Sequence, residues 1–421
     1  MNEPVPGKMR WWPTGGLWRH PDFLRLWGAQ AGSAFGSRIT RTALPIIAIL
    51  TIRATPTEVA VLSALGVAPG VLVGLFVGGH VDRAAKRPLL IGADLVRALL
   101  ILTIPLAAWT GFLAMPQLYV VAALVGAATT LFEIADNSYL PTLVGRDLLV
   151  QGNARLSATD SVAEAAGPGI AGVLVQWLTA PVAVIVDALT YLWSALLLGR
   201  IRAREVVDPH AAGGASVLGD VRAGFRACWA DPVVRPLLLA DAVMHLFGGF
   251  FMALYMILAL ETLSLSPAAV GLVISAGGIG AFAGALLAEP LGRVRRPGVA
   301  MAVSLLVAQA AVLLVPLAAT AGRLAIPLLL AQQLVGDAFA TAYGIHALSL
   351  RQRVLPDAVL GRANATFHVA VGLMLPVGAL IAGPLASAIG VAPAAWVGAV
   401  GGLLAVPVLL ASPVARLRAD G

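Results

Sequence analysis

Nine ionisable side chains stand inside long apolar runs of this 421-residue chain: Arg38, Arg41, Glu133, Asp136, Glu164, Asp187, Asp241, His245 and Asp337. A charge placed in hydrocarbon costs about 2.5–3.5 kcal/mol on insertion scales, so each such residue needs a partner or a task. A dehydrating medium penalises the ionised form of a carboxylate, which suits it to taking up and releasing protons; Glu133, Asp241 and Asp337 are the leading candidates for that chemistry. Histidine is a common proton carrier, so His245 is a further candidate, with a hydrogen-bonded packing role as the alternative. Arg38 and Arg41 can neutralise acids or attract an anionic group. At a rise of 1.5 Å per residue, Arg38 and Glu164 each lie roughly 20 Å into their own runs, so depth alone predicts that they pair. Arg41 and Asp187 share a depth of about 6 Å from the opposite boundary and form a second candidate pair.

The elements that position these groups are helices long enough to cross a bilayer. Hydrophobic residues make up 59% of the chain and charged residues 12%, against about 25% charged in a soluble domain, and the mean hydropathy is +0.90. Apolar runs cover 23–50, 57–79, 88–110, 116–139, 150–177, 181–200, 234–260, 267–290, 298–319, 324–346, 360–386 and 392–412. Each approaches the roughly 20 residues a spanning helix needs. The predicted fold is an all-α membrane protein of twelve transmembrane helices in two pseudo-symmetric six-helix bundles, 1–200 and 234–421, joined by a cytoplasmic linker, 201–233.

Basic residues fall almost entirely in one set of connections, from Lys8 and Arg10 through the Arg83 to Arg87 cluster to Arg416 and Arg418, with only Arg53 and Arg323 opposite. The positive-inside rule then puts both termini in the cytoplasm, which an even number of spans also requires. No signal peptide is evident before Trp18, and the Trp11-Trp12 pair suits a headgroup interface. The net charge of +7 is scattered between spans, which argues against nucleic-acid binding. The single cysteine, Cys228, permits no internal disulfide. Within the linker, Val217, Val221, Phe225 and Trp229 recur every fourth residue among Asp220, Arg222 and Arg226, the pattern of an amphipathic helix at a membrane surface.

The halves echo one another: Gly167-Pro168-Gly169-Ile170-Ala171-Gly172 matches Gly378-Ala379-Leu380-Ile381-Ala382-Gly383 at four of six positions, 211 residues apart, and Asn153-Ala154 falls on Asn364-Ala365 at the same offset. Duplicated halves enclosing a central site are a recurrent transporter design. Gly66, Gly70, Gly74 and Gly78 form a stripe that admits close helix packing, as do Gly280 and Gly284. Between the second and third runs, Gly78, Asp82, Arg83, Lys86 and Arg87 crowd an acid and three bases into one short connection, where Asp82 can accept from a helix N-terminus or pair with a base and so act as a latch.

That Gly-x-x-x-Asp-Arg-x-x-Lys-Arg connection resembles the loop signature of the major facilitator superfamily, with Ala85 where the family usually has Gly. Gly167, Pro168 and Gly172 resemble the antiporter motif of its drug-exporting branches, with Ala163 in place of an upstream glycine. Pro21-Asp22-Phe23, Asp94 with Arg97, the segment from Asp187 to Leu192, and Pro356-Asp357 with Gly361-Arg362 are similar to the branch of macrolide efflux proteins and the enterobactin exporter. The resemblance implies secondary active export of an amphipathic drug or natural product by proton antiport and alternating access in the cell inner membrane, with spans one, four, seven and ten around a central cavity. It implies a conformational latch of Gly78, Asp82, Arg83, Lys86, Arg87, Asp94 and Arg97.

Aromatic residues on the expected cavity helices, Trp27, Phe35, Phe132, Phe247, Phe250, Phe251, Tyr255, Phe339 and Tyr343, offer greasy surface to a cavity, in a list that mixes lining with packing against lipid or neighbouring helices. Proton-coupled uptake, facilitated diffusion, and export of a lipid or siderophore are the alternatives within transport, and a membrane-embedded transferase is the rival class. No metal-ligand cluster and no nucleotide-binding loop occurs, so no cofactor beyond a proton gradient is expected and the chain is not expected to be an enzyme. The expected partners are the small-molecule substrate, protons and the bilayer, around a monomer.

Overall fold

The computed structural model describes residues 16–417 except 204, 206–216 and 295, without the side chains of residues 78–80, 82, 83, 146, 217, 218, 220 and 358. Lys8, Arg10, the Trp11-Trp12 pair and Arg418 lie outside the described residues. Among the described residues the regular structure is all helical, because in hydrocarbon a backbone must satisfy its own polar groups. The first half holds α1 (Pro21–Ile46, continued by a π-helical stretch Ile47–Ile52), α2 (Pro56–Arg83), α3 (Lys86–Thr110), α4 (Met115–Val144), α5 (Leu149–Leu178) and α6 (Ala180–Gly199). The linker helix α7 (Val217–Ala230) follows. The second half holds α8 (Val234–Ile257, continued as π helix over Leu258–Thr262), α9 (Pro267–Gly292) and α10 (Pro297–Val312). Then come α11 (Ala325–Ala331, a π stretch Gln332–Gly336, then Asp337–Val354), α12 (Asp357–Gly372 and Met374–Ile389) and α13 (Val391–Gly402 and Ala405–Leu410).

Among the described residues, eleven helices are long and apolar enough to cross a membrane. The twelfth expected span, α5, has 30 residues, about 45 Å at 1.5 Å each, yet its first half is polar, with Arg155, Asp160 and Glu164 on it. Water-facing positions explain the difference, since Asp160 and Glu164 are exposed.

The duplication is written in backbone landmarks. The π stretches begin at Ile47 and Leu258. Left-handed residues follow at Arg53 and Ser264, at Gly111 and Gly322, and at Thr179 and Gly390. Thr55 and Ser266 each cap a helix whose first residue is proline. Every pair is 211 residues apart, the separation of the sequence echo, so the repeat is structural as well as textual.

The glycine stripe of α2 packs inside its own half: a Cβ on Gly126 of α4 would lie 2.6 Å from the Gly66 carbonyl, and one on Gly70 2.6 Å from Thr130 Oγ1. Gly280 and Gly284 likewise let α9 lie on α11. The halves meet through α5 against α9 and α2 against α12. Gly172 packs on the Pro267 carbonyl and Gly271 on that of Pro168, while a Cβ on Gly278 would meet Ala165. Gly169 N donates to Ser275 Oγ at 2.8 Å, Ala268 N to Gln176 Oε1 at 3.2 Å, and Thr57 Oγ1 sits 2.9 Å from Ser387 Oγ. These contacts lie toward the helix ends remote from the linker and termini, so the molecule is closed there.

Candidate functional site

A cavity of about 360 Å³ lies between α1, α4 and α5. It begins near the termini-side ends of α4 and α5, at Leu140 and Asn153, and reaches inward to Arg41 and Thr129. Helical periodicity turns Gln30, Ser37, Arg38 and Arg41 of α1 toward it, with Glu133, Asp136 and Asn137 of α4 and Ser157 and Asp160 of α5.

Arg38 organises the wall. Its Nη2 lies 2.6 Å from Glu164 Oε2 and 3.0 Å from Asp160 Oδ1. The guanidinium side chain is 12% exposed, whereas the Asp160 and Glu164 side chains are 62% and 51% exposed, so the base is held by protein and its acids remain open to water. The Arg38–Glu164 contact is the one that helix depth predicts. Asp160 was not singled out in the sequence, although it lies one turn before Glu164 on the same face. Gly167 explains how Arg38 reaches both: a Cβ there would stand 2.5 Å from Arg38 Cβ and 2.9 Å from Cγ. Only a residue without a side chain lets the arginine stem cross α5.

The predicted Arg41–Asp187 pair is not made. Arg41 is exposed to the cavity and forms no ion pair among the described residues. Asp187 is fully buried on the opposite side of α1, against Gly36, where Thr190 Oγ1 donates to it at 3.3 Å. Equal depth brought them level, but their helix faces diverge.

Glu133 is exposed to the cavity, and Asp136 accepts a hydrogen bond from Gln30 Nε2. Asp241 of α8 lies in the other half, where Tyr343 Oη donates to its Oδ1 at 2.7 Å and His245 Nδ1 sits 2.8 Å from the Asp241 carbonyl oxygen. Asp337 follows the π stretch of α11 directly and lies against Gly277 of α9. The structure therefore separates the three candidate proton carriers: Glu133 lines this cavity, and Asp241 and Asp337 do not.

The aromatic residues divide between lining and packing. Phe132 is the sole aromatic on the cavity wall among the described residues. Phe247, Phe250, Phe251 and Tyr255 border a small apolar crevice beside α10 and α13, Tyr343 is buried on Asp241, and Trp27 Nε1 donates to Thr159 Oγ1 at 3.0 Å.

The side chains of Gly78, Asp82 and Arg83 at the end of α2 lie outside the described residues. Farther along the loop, Glu205 of the linker accepts from the backbone N–H groups of Lys86 (2.5 Å) and Arg87 (2.7 Å), capping α3. Arg87 Nε donates to the Leu198 carbonyl at 2.9 Å, and its Nη2 to that of Gly199. Part of the loop thus fastens the linker to α3 and α6, a role the sequence did not reveal. Asp94 and Arg97 form a fully buried ion pair within α3, the guanidinium lying 4.5 Å from the Phe132 ring centroid and 4.2 Å from that of Tyr191. Gly167, Pro168 and Gly172 come together along α5, the first on Arg38 and the others on α9.

The model of the family described as transmembrane secretion effector matches residues 16–420. The multidrug efflux pump Tap of Mycolicibacterium fortuitum is 27% identical over 386 residues, 89% of this chain and 91% of that one. An uncharacterised MFS-type transporter, y4rN of Sinorhizobium fredii, is 28% identical over 330 residues, 76% of this chain and 78% of that one. Among solved structures, a bacterial homologue of the iron transporter ferroportin in its inward-facing state superposes with a TM-score of 0.72 at 16% identity, covering 94% of this chain and 99% of that one. The nucleoside transporter NupG superposes with a TM-score of 0.74 at 14% identity, covering 93% and 98%.

Proposed function

This chain belongs to the transmembrane secretion effectors of the major facilitator superfamily, and we propose that it exports amphipathic small molecules in exchange for protons. It is a multi-pass membrane transporter of a family whose members are transporters rather than enzymes. The observation that carries the export reading is the cavity wall, where one arginine is bound by two water-open carboxylates while Glu133 and Asp136 stand nearby without an ion pair among the described residues. A proton on Glu164 or Asp160 weakens its hold on Arg38, and the freed guanidinium changes the charge that a substrate meets. Because Arg38 crosses α5 at Gly167, within the stretch from Ala165 to Gly172 that forms the α5–α9 seam, its state can bias the closure of the two halves.

In this reading, the end carrying the termini faces the cytoplasm, as its excess of arginine favours, and the cavity is open inward in the cell inner membrane. The two halves, 1–200 and 234–421, rock about the seam, and the protein works as a monomer. The Tap relative, named a multidrug efflux pump, supports export over uptake.

The test is accumulation of a fluorescent amphipathic cation in cells making the protein, with and without collapse of the proton gradient. Accumulation should be low in energised cells and rise on collapse, and Glu164→Gln should raise it in energised cells. Equal accumulation with and without the gradient sinks the reading.

A further inference from the structure

The linker helix α7 carries a face that the bundle leaves uncovered. Arg222, Phe225, Arg226 and Trp229 stand at i, i+3, i+4 and i+7, which places them on one side of a helix, and all four are exposed. The two rings stack at 5.5 Å between centroids with 18° between planes, and Phe225 and Trp229 remain 43% and 44% exposed. The opposite side is already satisfied. Gly224 and Cys228 are buried, the Gly224 backbone lies on the Arg362 carbonyl, and Thr366 Oγ1 donates to the Val221 carbonyl at 3.2 Å. Along the stripe, Val221 is half-buried with its carbonyl on Thr366 of α12, while Phe225 and Trp229 are exposed.

Position along the chain sets the height of this face. Trp229 stands five residues before Val234, the first residue of the membrane-crossing helix α8, and Asp231 Oδ1 pins the turn between them by accepting from Val233 N at 2.8 Å and Val234 N at 2.9 Å. Five residues span at most about 17 Å of chain, so the pair cannot leave the neighbourhood of the bilayer surface. At that level, aromatic rings partition among headgroups and acyl ends while guanidinium groups seek lipid phosphates.

We propose that this face of α7 docks on anionic phospholipid of the leaflet at the termini side. Phe225 and Trp229 sit below the phosphates, and Arg222 and Arg226 each hold a phosphodiester. The buried side of α7 is fixed to α12, whose Gly372 would bring a Cβ within 3.4 Å of Val71 on α2. The lipid is therefore linked mechanically to a contact between the two halves. The proposal rests on the membrane placement of the helices and not on the substrate or the coupling ion.

The test uses the full chain reconstituted in nanodiscs of phosphatidylcholine, alone or mixed with phosphatidylglycerol. A spin label is attached at Ala230→Cys, an exposed neighbour of the face, in a Cys228→Ser background. The label should become accessible to oxygen and shielded from a water-soluble nickel reagent as phosphatidylglycerol is added. Each arginine near an anionic surface is worth about fivefold in affinity, so Arg222→Gln with Arg226→Gln should weaken the response to phosphatidylglycerol about 25-fold. A label equally open to the nickel reagent in both lipids, or one shielded from both reagents by a second copy of the chain, overturns the proposal. A second measurement keeps Cys228: phosphatidylglycerol should raise the melting temperature of the unaltered protein above that in phosphatidylcholine, and the double arginine variant should lose that difference. Equal stabilisation of the two proteins also overturns it.

Discussion

Replacing Gly167 by alanine tests how the cavity wall is built. The new Cβ would lie 2.5 Å from Arg38 Cβ and 2.9 Å from Cγ, whereas non-bonded carbons rest about 3.5–4.0 Å apart. The obstructed atom is the root of the arginine, which no rotamer change can move, so α1 and α5 must separate by about 1 Å. Overpacking of this kind costs about 1–3 kcal/mol. The ion pairs contribute less, because half-exposed pairs are worth about 0.2–1 kcal/mol each, but a 1 Å shift would stretch the 2.6 Å contact with Glu164 beyond hydrogen-bond range. The assay is reversible unfolding in mixed micelles, performed as a double-mutant cycle with Arg38→Gly, which removes the obstructing atoms. Gly167→Ala should cost about 1–3 kcal/mol beside Arg38 and much less beside Gly, a coupling of the size found for residues in contact. Equal costs in the two backgrounds would refute the claim that Gly167 exists to pass Arg38.

Two further outcomes follow from contacts elsewhere. Tyr343→Phe removes the donor to Asp241 and should destabilise the protein by about 0.5–3 kcal/mol, the range from a neutral to a charged acceptor, while Tyr255→Phe, whose hydroxyl has no partner among the described residues, should be close to neutral in the same unfolding assay. Gly271→Leu drives a side chain into the Pro168 carbonyl across the seam; a wedge of about 1–3 kcal/mol shifts the open–closed equilibrium about 5- to 150-fold, so a cysteine at Ser275 should react faster with a membrane-impermeant thiol reagent added from the side remote from the termini.

The membrane fold was legible because hydrocarbon leaves so few choices: apolar runs of the right length must become spanning helices, and basic connections mark one side. The duplication was legible through Gly167 and Gly378, and the backbone confirms the separation at caps, π stretches and left-handed residues. The fifth run hid its character, since its polar half faces a cavity that apolar windows do not register. Depth found the Arg38–Glu164 contact but misplaced Arg41 with Asp187, because distance along a helix says nothing about which way a side chain turns. The aromatic list could not be divided from sequence for a related reason: Phe250 and Tyr255 satisfy packing, and nothing local distinguishes packing from lining.

By itself, then, the order of residues determined the class, the internal repeat and the set of groups able to carry charge or protons, since each follows from composition and spacing against a solvent of fixed thickness. Tertiary structure alone decided which groups meet: that Gly167 clears a path for Arg38, that Asp160 joins Glu164 on it, that Glu205 caps α3, and that the two halves close at the end away from the termini. Those outcomes depend on the rotation and crossing of helices far apart in the chain, and such angles are set by packing between surfaces that no single segment contains.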